Sequence, residues 1–236
     1  MARLAWDGLR DLSSHGYRVF AVDLIGQPGL SQGPRLRASG HDYVEWLDDV
    51  LDRLGLPTAS LVGHSLGGHV ALRYAAARPQ RARRLALVCP SGLIRLRVPP
   101  TVLARTLAWL AHPQPGTGRA LLQLMSEPGQ DVQDLVEWMT VVGRHVRTTL
   151  APRPLPAPLL REVISPVLVV AGERDPFLPG RRLADAVRRR LPAGQTVVIP
   201  GAGHLLPHDR PVELADLLAS FLGERDLTEP GVNSQV

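Results

Sequence analysis

The run Gly63-His64-Ser65-Leu66-Gly67 places a serine between two glycines, after the apolar residues 59–62 and before a helical stretch. This order of strand, sharp turn and helix is typical of a nucleophile elbow, where a strained serine projects from the carboxyl edge of a sheet. We therefore predict that Ser65 is a nucleophile. The N–H of Leu66, at the start of the following helix, is predicted to face a developing oxyanion.

A serine hydroxyl is a weak nucleophile at neutral pH and needs a base that a carboxylate orients. Two later apolar runs supply both groups. Residues 166–171 lead into Asp175, and residues 195–199 lead into His204. Because the carboxyl ends of parallel strands share one edge of a sheet, Asp175 and His204 are expected beside Ser65. The sequence thus predicts a triad of Ser65, His204 and Asp175.

Several neighbouring residues offer alternatives to these assignments. Glu173 competes with Asp175 as the orienting carboxylate but is expected to face solvent. His204 and His208 stand one helical turn apart, as metal ligands can, yet no third ligand is in view and we expect no metal. His64 is expected to point away from the pocket. Asp23 is expected to act as a structural hydrogen-bond acceptor.

Short apolar runs alternate with helical segments along most of the chain. Strands are predicted at 17–23, 59–63, 85–89, 166–171 and 195–199, and amphipathic helices at 43–54 and 183–191 among others. This alternation predicts an α/β fold, a mostly parallel sheet flanked by helices. The expected core is 1–90 with 161–224, interrupted by a helical cap over 91–160 and followed by a flexible tail over 225–236.

Composition narrows the classes of function. The chain has 236 residues, and all 27 basic residues are arginine. Without lysine, Schiff-base chemistry, pyridoxal phosphate attachment and a Walker-type phosphate site are excluded, and no cofactor is expected. The arginines are dispersed, so no nucleic acid partner is expected. No apolar run is long enough to span a membrane, and the single cysteine, Cys89, reads as a buried apolar residue. We expect a soluble, cytoplasmic protein without a membrane partner. No sequence pattern indicates its oligomeric state.

The order Ser65, Asp175, His204 resembles that of the α/β-hydrolase superfamily of esterases and lipases. Residues 22–31 are similar to its Asp-x-x-Gly-x-Gly-x-Ser loop with one extra residue, 81–90 to the strand after its nucleophile helix, and 91–160 to its cap. The resemblance implies a serine hydrolase for a small apolar ester or related acyl substrate, with Trp109 and Trp138 of the cap in an acyl pocket. The same triad also serves carbon–carbon bond hydrolases, acyltransferases and cofactor-free haloperoxidases.

The chain departs from that family at its N-terminus. Family members have a strand and a His-Gly type turn before the segment equivalent to Leu4–Leu12, and that turn donates the second oxyanion hydrogen bond. No such strand precedes Leu4 here. We therefore expect a shortened sheet, with a strand missing between 17–23 and 59–63. Either Met1 is not the true start, or a backbone N–H near Gly26 to Gly29 takes over, or the chain is a catalytically impaired binding protein.

Overall fold

The computed structural model describes Leu12, residues 16–146 and residues 151–223. Within these residues a single sheet contains four strands, all parallel, in the order β1-β2-β3-β4. The expected parallel sheet flanked by helices is confirmed. The strands are β1 (Ala59–His64), β2 (Ala82–Val88), β3 (Val167–Gly172) and β4 (Gly194–Ile199).

Helices follow or connect the strands, as the sequence periodicity predicts. Helices α1, α2 and α7 belong to the strand–helix alternation, α3 to α6 lie between β2 and β3, and α8 and α9 follow β4. Their bounds are α1 (Asp42–Arg53), α2 (Leu66–Ala77), α3 (Pro100–Ala111), α4 (Pro115–Met125), α5 (Gln133–His145), α6 (Ala157–Arg161), α7 (Gly180–Arg190), α8 (Leu206–Asp209) and α9 (Pro211–Gly223).

Residues 85–88 of β2 and all of β3 are apolar because both faces of the sheet are covered there. Leu85 and Leu87 of β2 pack with Val169 in the core on one face. Ala86 and Val88 pack on the other face against Leu214 and Leu218 of α9. Alternate side chains of a strand point to opposite faces, so a strand with helices on both sides has no solvent-facing residue.

The prediction of a strand over residues 17–23 is wrong. The segment forms neither helix nor strand, no described strand pairs with it, and Val19, Phe20 and Val22 are 48%, 39% and 38% exposed. An extended segment becomes a strand only when a neighbour accepts its backbone hydrogen bonds. Among the described residues β1 has a partner on one side only, and none lies between it and residues 17–23.

The cap lies between β2 and β3, and its two ends meet where Leu155 N–H donates to Gly92 O at 2.7 Å. Helices α4 and α5 pack on each other, and α3 packs on α4. Their apolar side chains form a core of their own around Trp109, Leu121 and Val142. No helix in the described part of the chain is long and apolar enough to cross a membrane. The predicted tail, 225–236, lies outside the described residues.

Candidate active site

Ser65 occupies a strained turn between β1 and α2. Its φ is 49° and its ψ −108°, a backbone conformation that residues other than glycine rarely adopt. Hydrogen bonds hold the peptide units on either side. Ser65 N–H donates to Val88 O at 3.0 Å, and Ser65 O accepts from Ser91 N–H at 3.0 Å and from the Ser91 hydroxyl at 3.1 Å. The strain is thus maintained by contacts with the end of β2 and the loop after it.

The glycines of this turn have different tasks. A Cβ on Gly63 would lie 2.5 Å from the backbone of Gly67, and one on Gly68 would lie 2.6 Å from Pro90 Cβ. A Cβ on Gly67 would meet nothing within 4 Å. The close approach of strand and helix therefore requires Gly63 and Gly68, whereas the sequence motif alone suggested equal roles for Gly63 and Gly67.

The three residues expected to form a triad are joined by hydrogen bonds. His204 Nε2 lies 3.2 Å from Ser65 Oγ, and His204 Nδ1 lies 2.7 Å from Asp175 Oδ2. An ionised carboxylate can only accept, so Nδ1 carries the proton and Nε2 is left to accept the proton of the serine hydroxyl. Such an arrangement can transfer a proton from the hydroxyl to the imidazole while the hydroxyl oxygen attacks an electrophile.

Asp175 is fully buried and is held by a turn of its own backbone. Its Oδ1 accepts from the N–H groups of Phe177 and Leu178 at 2.8 and 2.9 Å. Burial opposes ionisation, but the charge and hydrogen bond of His204 and these two N–H groups outweigh it, so the pKa of Asp175 is lowered. The rival Glu173 is exposed and accepts from Gly201 N–H at 3.1 Å.

The backbone of His204 is fixed as firmly as its ring. Its N–H donates to Met125 O at 2.6 Å, and its carbonyl accepts from His64 Nε2 at 2.8 Å. The carbonyl cannot donate, so His64 Nε2 carries a proton. Burial lowers the pKa of His64 to about 4, and the ring stays neutral near pH 7. His64, which was expected to point away from the pocket, supports the loop of His204 through this hydrogen bond.

The end of the cap helix α4 is bound by hydrogen bonds and an ion pair to the segment around His204. Glu127 forms a two-pronged ion pair with Arg210, at 2.6 and 2.7 Å, and its N–H donates to the buried carboxylate of Asp209 at 2.7 Å. A Cβ on Gly203 would lie 2.2 Å from Met125 O, so the two segments are in close contact. Neither Met125 nor Glu127 carries a sequence motif, and only the tertiary contact identifies them.

Cys89 lies beneath the triad, with its thiol sulfur within 4.8 Å of ligand atoms of Asp175 and His204. Burial, followed by the nearby Asp175 carboxylate, raises the pKa of this thiol, and a protonated thiol is a poor metal ligand. Both ring nitrogens of His204 already have partners, whereas His208 pairs with Asp209 at 3.0 Å. The arrangement around His204 therefore suits proton transfer better than metal binding.

The remaining residues of interest lie around this centre. Leu66 is the first residue of α2, so its N–H belongs to the first turn, whose amides lack partners within the helix. Asp23 accepts from Leu30 N–H at 2.9 Å, in the structural role expected for it. A Cβ on Gly29 would meet Asp23, and one on Gly26 would meet Arg35, so these glycines are packed within their own loop.

The sequence of the chain matches a known protein family. The family model described as the alpha/beta hydrolase family matches residues 1–217. The chain belongs to this family. In sequence it is similar to an uncharacterized protein of Mycobacterium tuberculosis, with 29% identity covering 98% of this chain and 74% of the relative. It is also similar to carboxylesterase YbfK of Bacillus subtilis, with 26% identity covering 89% of this chain and 72% of the relative.

Solved structures agree with this membership. The crystal structure of carboxylesterase CesB (YbfK) from Bacillus subtilis matches with a TM-score of 0.78 and 26% identity, covering 93% of this α/β-hydrolase and 79% of that chain. A 2-hydroxy-6-oxo-6-phenylhexa-2,4-dienoate hydrolase from Rhodococcus sp. strain RHA1 matches with a TM-score of 0.78, 94% of this chain and 85% of that one. At 21% identity, the second likeness bears on the fold alone.

The packing of the turn predicts opposite outcomes for two similar substitutions. Gly63→Ala should lower the free energy of unfolding by about 3 kcal/mol or more, because its Cβ would overlap the backbone of Gly67. Gly67→Ala should change it by less than about 1 kcal/mol, and in the stabilising direction, since alanine is the better helix former. Urea unfolding of both variants measures the difference, and equal destabilisation would contradict the proposed packing.

The neutral state of His64 predicts a loss of stability in acid. In the unfolded chain, His64 becomes protonated below pH 6.5, its ordinary pKa. In the folded protein its imidazole stays neutral until about pH 4. His64 therefore contributes stability above pH 6.5 that is lost as the pH falls towards 4, about 2 to 3 kcal/mol of it by pH 4.5.

His64→Gln keeps a donor for the carbonyl of His204 but cannot titrate, so it should lack this component. Urea unfolding at pH 7.5 and 4.5 measures it, with His112→Gln, at an exposed histidine, as the matched control. The account fails if His64→Gln and the wild-type protein lose the same free energy between the two pH values.

Proposed function

We propose that this α/β-hydrolase is a serine esterase that cleaves small apolar carboxylic esters through an acyl-enzyme on Ser65. The observation that carries the proposal is the unbroken chain of hydrogen bonds from Ser65 Oγ through the His204 ring to the buried Asp175 carboxylate. The similarity to a protein named carboxylesterase YbfK, at 26% identity, supports the same substrate class.

In the first half of the proposed reaction, Ser65 Oγ attacks the ester carbonyl while His204 Nε2 takes the hydroxyl proton. Asp175 stabilises the imidazolium that forms, without itself becoming protonated. The N–H of Leu66 donates to the oxyanion, aided by the positive end of α2. Collapse of the tetrahedral intermediate breaks the bond to the leaving alcohol oxygen, which receives the proton from His204, and leaves an acyl group on Ser65.

Water completes the proposed cycle by the same steps in the second half. His204 Nε2 takes a proton from the water as its oxygen attacks the acyl carbon. When the bond to Ser65 breaks, His204 returns that proton to Ser65 Oγ, and the carboxylic acid leaves. The proposed reaction uses only side chains, backbone N–H groups and water.

Apolar side chains beside the triad favour an apolar acyl group. The Phe177 ring lies edge-on to the His204 ring, with centroids 5.2 Å apart. Phe177, like the half-buried Trp138 and Met125, also packs against the core of the cap. Trp109, which was expected to line the pocket, is only 4% exposed within that core. We therefore assign the wall of the acyl pocket to Phe177 and Trp138, with Trp109 as their support.

A fluorophosphonate probe tests the proposal, because it reacts with a serine only when a base activates that serine. The wild-type protein should be labelled and should hydrolyse p-nitrophenyl esters of short fatty acids, and Ser65→Ala should lose both properties. Ser60→Ala, an exposed serine of the same strand, is the matched control and should keep both. A folded wild-type protein that resists the probe would favour a binding protein without turnover and would sink the proposal.

A further inference from the structure

The cap presents a row of leucines to solvent on helix α3. Leu103, Leu107 and Leu110 are 48%, 57% and 41% exposed, and their spacing of four and three residues places them on one side of the helix. An adjoining side of the helix is anchored, since Val102 and Trp109 are buried in the core of the cap. Single exposed leucines are common on protein surfaces, whereas an aligned row indicates a binding surface.

The charge of the surrounding chain is strongly one-sided. From Arg53 through Ser126 there is no aspartate or glutamate and there are ten arginines, although the chain as a whole carries 22 acidic residues. Arg95 and Arg97, which precede the leucine row, are exposed. Their side chains form no ion pair with any carboxylate of the described residues. This segment therefore combines exposed apolar side chains with cations that have no protein partner there.

The leucine row begins close to the candidate active site. Arg97 N–H donates to Phe177 O at 2.9 Å, and the Phe177 ring contacts the His204 ring. Helix α3 begins three residues after Arg97, at Pro100. A binding partner that covered the leucine row would therefore lie beside Arg97, whose N–H connects the cap to Phe177 and so to the His204 ring.

We propose that helix α3 docks on an anionic phospholipid surface, with the leucine row in the interfacial region and Arg95 and Arg97 on lipid phosphates. Apolar side chains combined with basic residues are what an interfacial helix uses to bind such a surface. Self-association through the same row would bring arginines together without a carboxylate to pair them. Nucleic acid would pair with the arginines but would leave the leucines uncovered. The docking differs from the expectation, drawn from the sequence, of a protein without a membrane partner. It goes beyond the proposed esterase activity and does not depend on it.

Co-sedimentation with vesicles of phosphatidylcholine, with and without phosphatidylglycerol, tests the docking. The Ser65→Ala protein serves as the parent, so that lipid hydrolysis and the esterase proposal do not enter the result. The parent should bind phosphatidylglycerol vesicles at least about 10-fold more strongly than neutral ones, and added salt should weaken this binding. Adding Arg95→Gln and Arg97→Gln should abolish the preference for the anionic lipid.

Paired variants separate the leucine row from general surface hydrophobicity. Adding Leu103→Gln and Leu107→Gln to the parent should reduce vesicle binding about 10-fold or more, because two apolar anchors are lost. The matched control adds Ile164→Gln and Val212→Gln, at positions 64% and 67% exposed on other elements, and should bind like the parent. Circular dichroism confirms that each variant is folded, and Leu110→Gln alone repeats the test if the double variant is not.

Three results would overturn the docking. The first is a parent that does not sediment with anionic vesicles. The second is equal loss of binding in the Leu103→Gln/Leu107→Gln protein and in the control. The third is a parent that forms dimers without lipid in size-exclusion chromatography and becomes monomeric in the Leu103→Gln/Leu107→Gln protein, because the row would then be an interface between copies of this chain.

Discussion

The hydrogen bond between His204 Nδ1 and the Asp175 carboxylate is the interaction on which the rest of the site depends. It fixes the proton on Nδ1, so that Nε2 can face Ser65 as an acceptor. The carboxylate is buried, and ionisation there is possible because His204 and two backbone N–H groups surround it. The loop after β3 therefore stabilises a charge in the interior, and that charge orients the imidazole of His204.

The loop that carries His204 is also where the cap and the core meet. Met125, at the end of α4, accepts from the His204 N–H, and the Glu127–Arg210 ion pair holds the adjoining segments together. From the side of the core, His64 donates to the His204 carbonyl. A shift of the cap would therefore move the backbone of His204, and the imidazole ring would move with it. In this α/β-hydrolase the cap therefore supports the backbone of His204.

Most of the sheet could be predicted from sequence, because buried parallel strands are short apolar runs bounded by turn residues. Residues 59–63 and 195–199 were predicted to within one residue of β1 and β4. Residues 17–23 carry a similar pattern and form no strand, since pairing depends on a neighbour that local sequence does not encode. The contact of Ser65, Asp175 and His204 was predictable from strand order. The supports from His64 and Met125 were not, because they arise from tertiary packing.

The central claim is that the Asp175 carboxylate orients His204 for proton transfer, and Asp175→Asn tests it most directly. An asparagine keeps the shape of the side chain but can donate to Nδ1, which favours the wrong tautomer of the imidazole. The account predicts that kcat for a p-nitrophenyl ester falls by about 10⁴, while Glu173→Gln, on the same loop, keeps wild-type turnover. A folded Asp175→Asn protein with kcat within about 10-fold of the wild-type value would contradict the account.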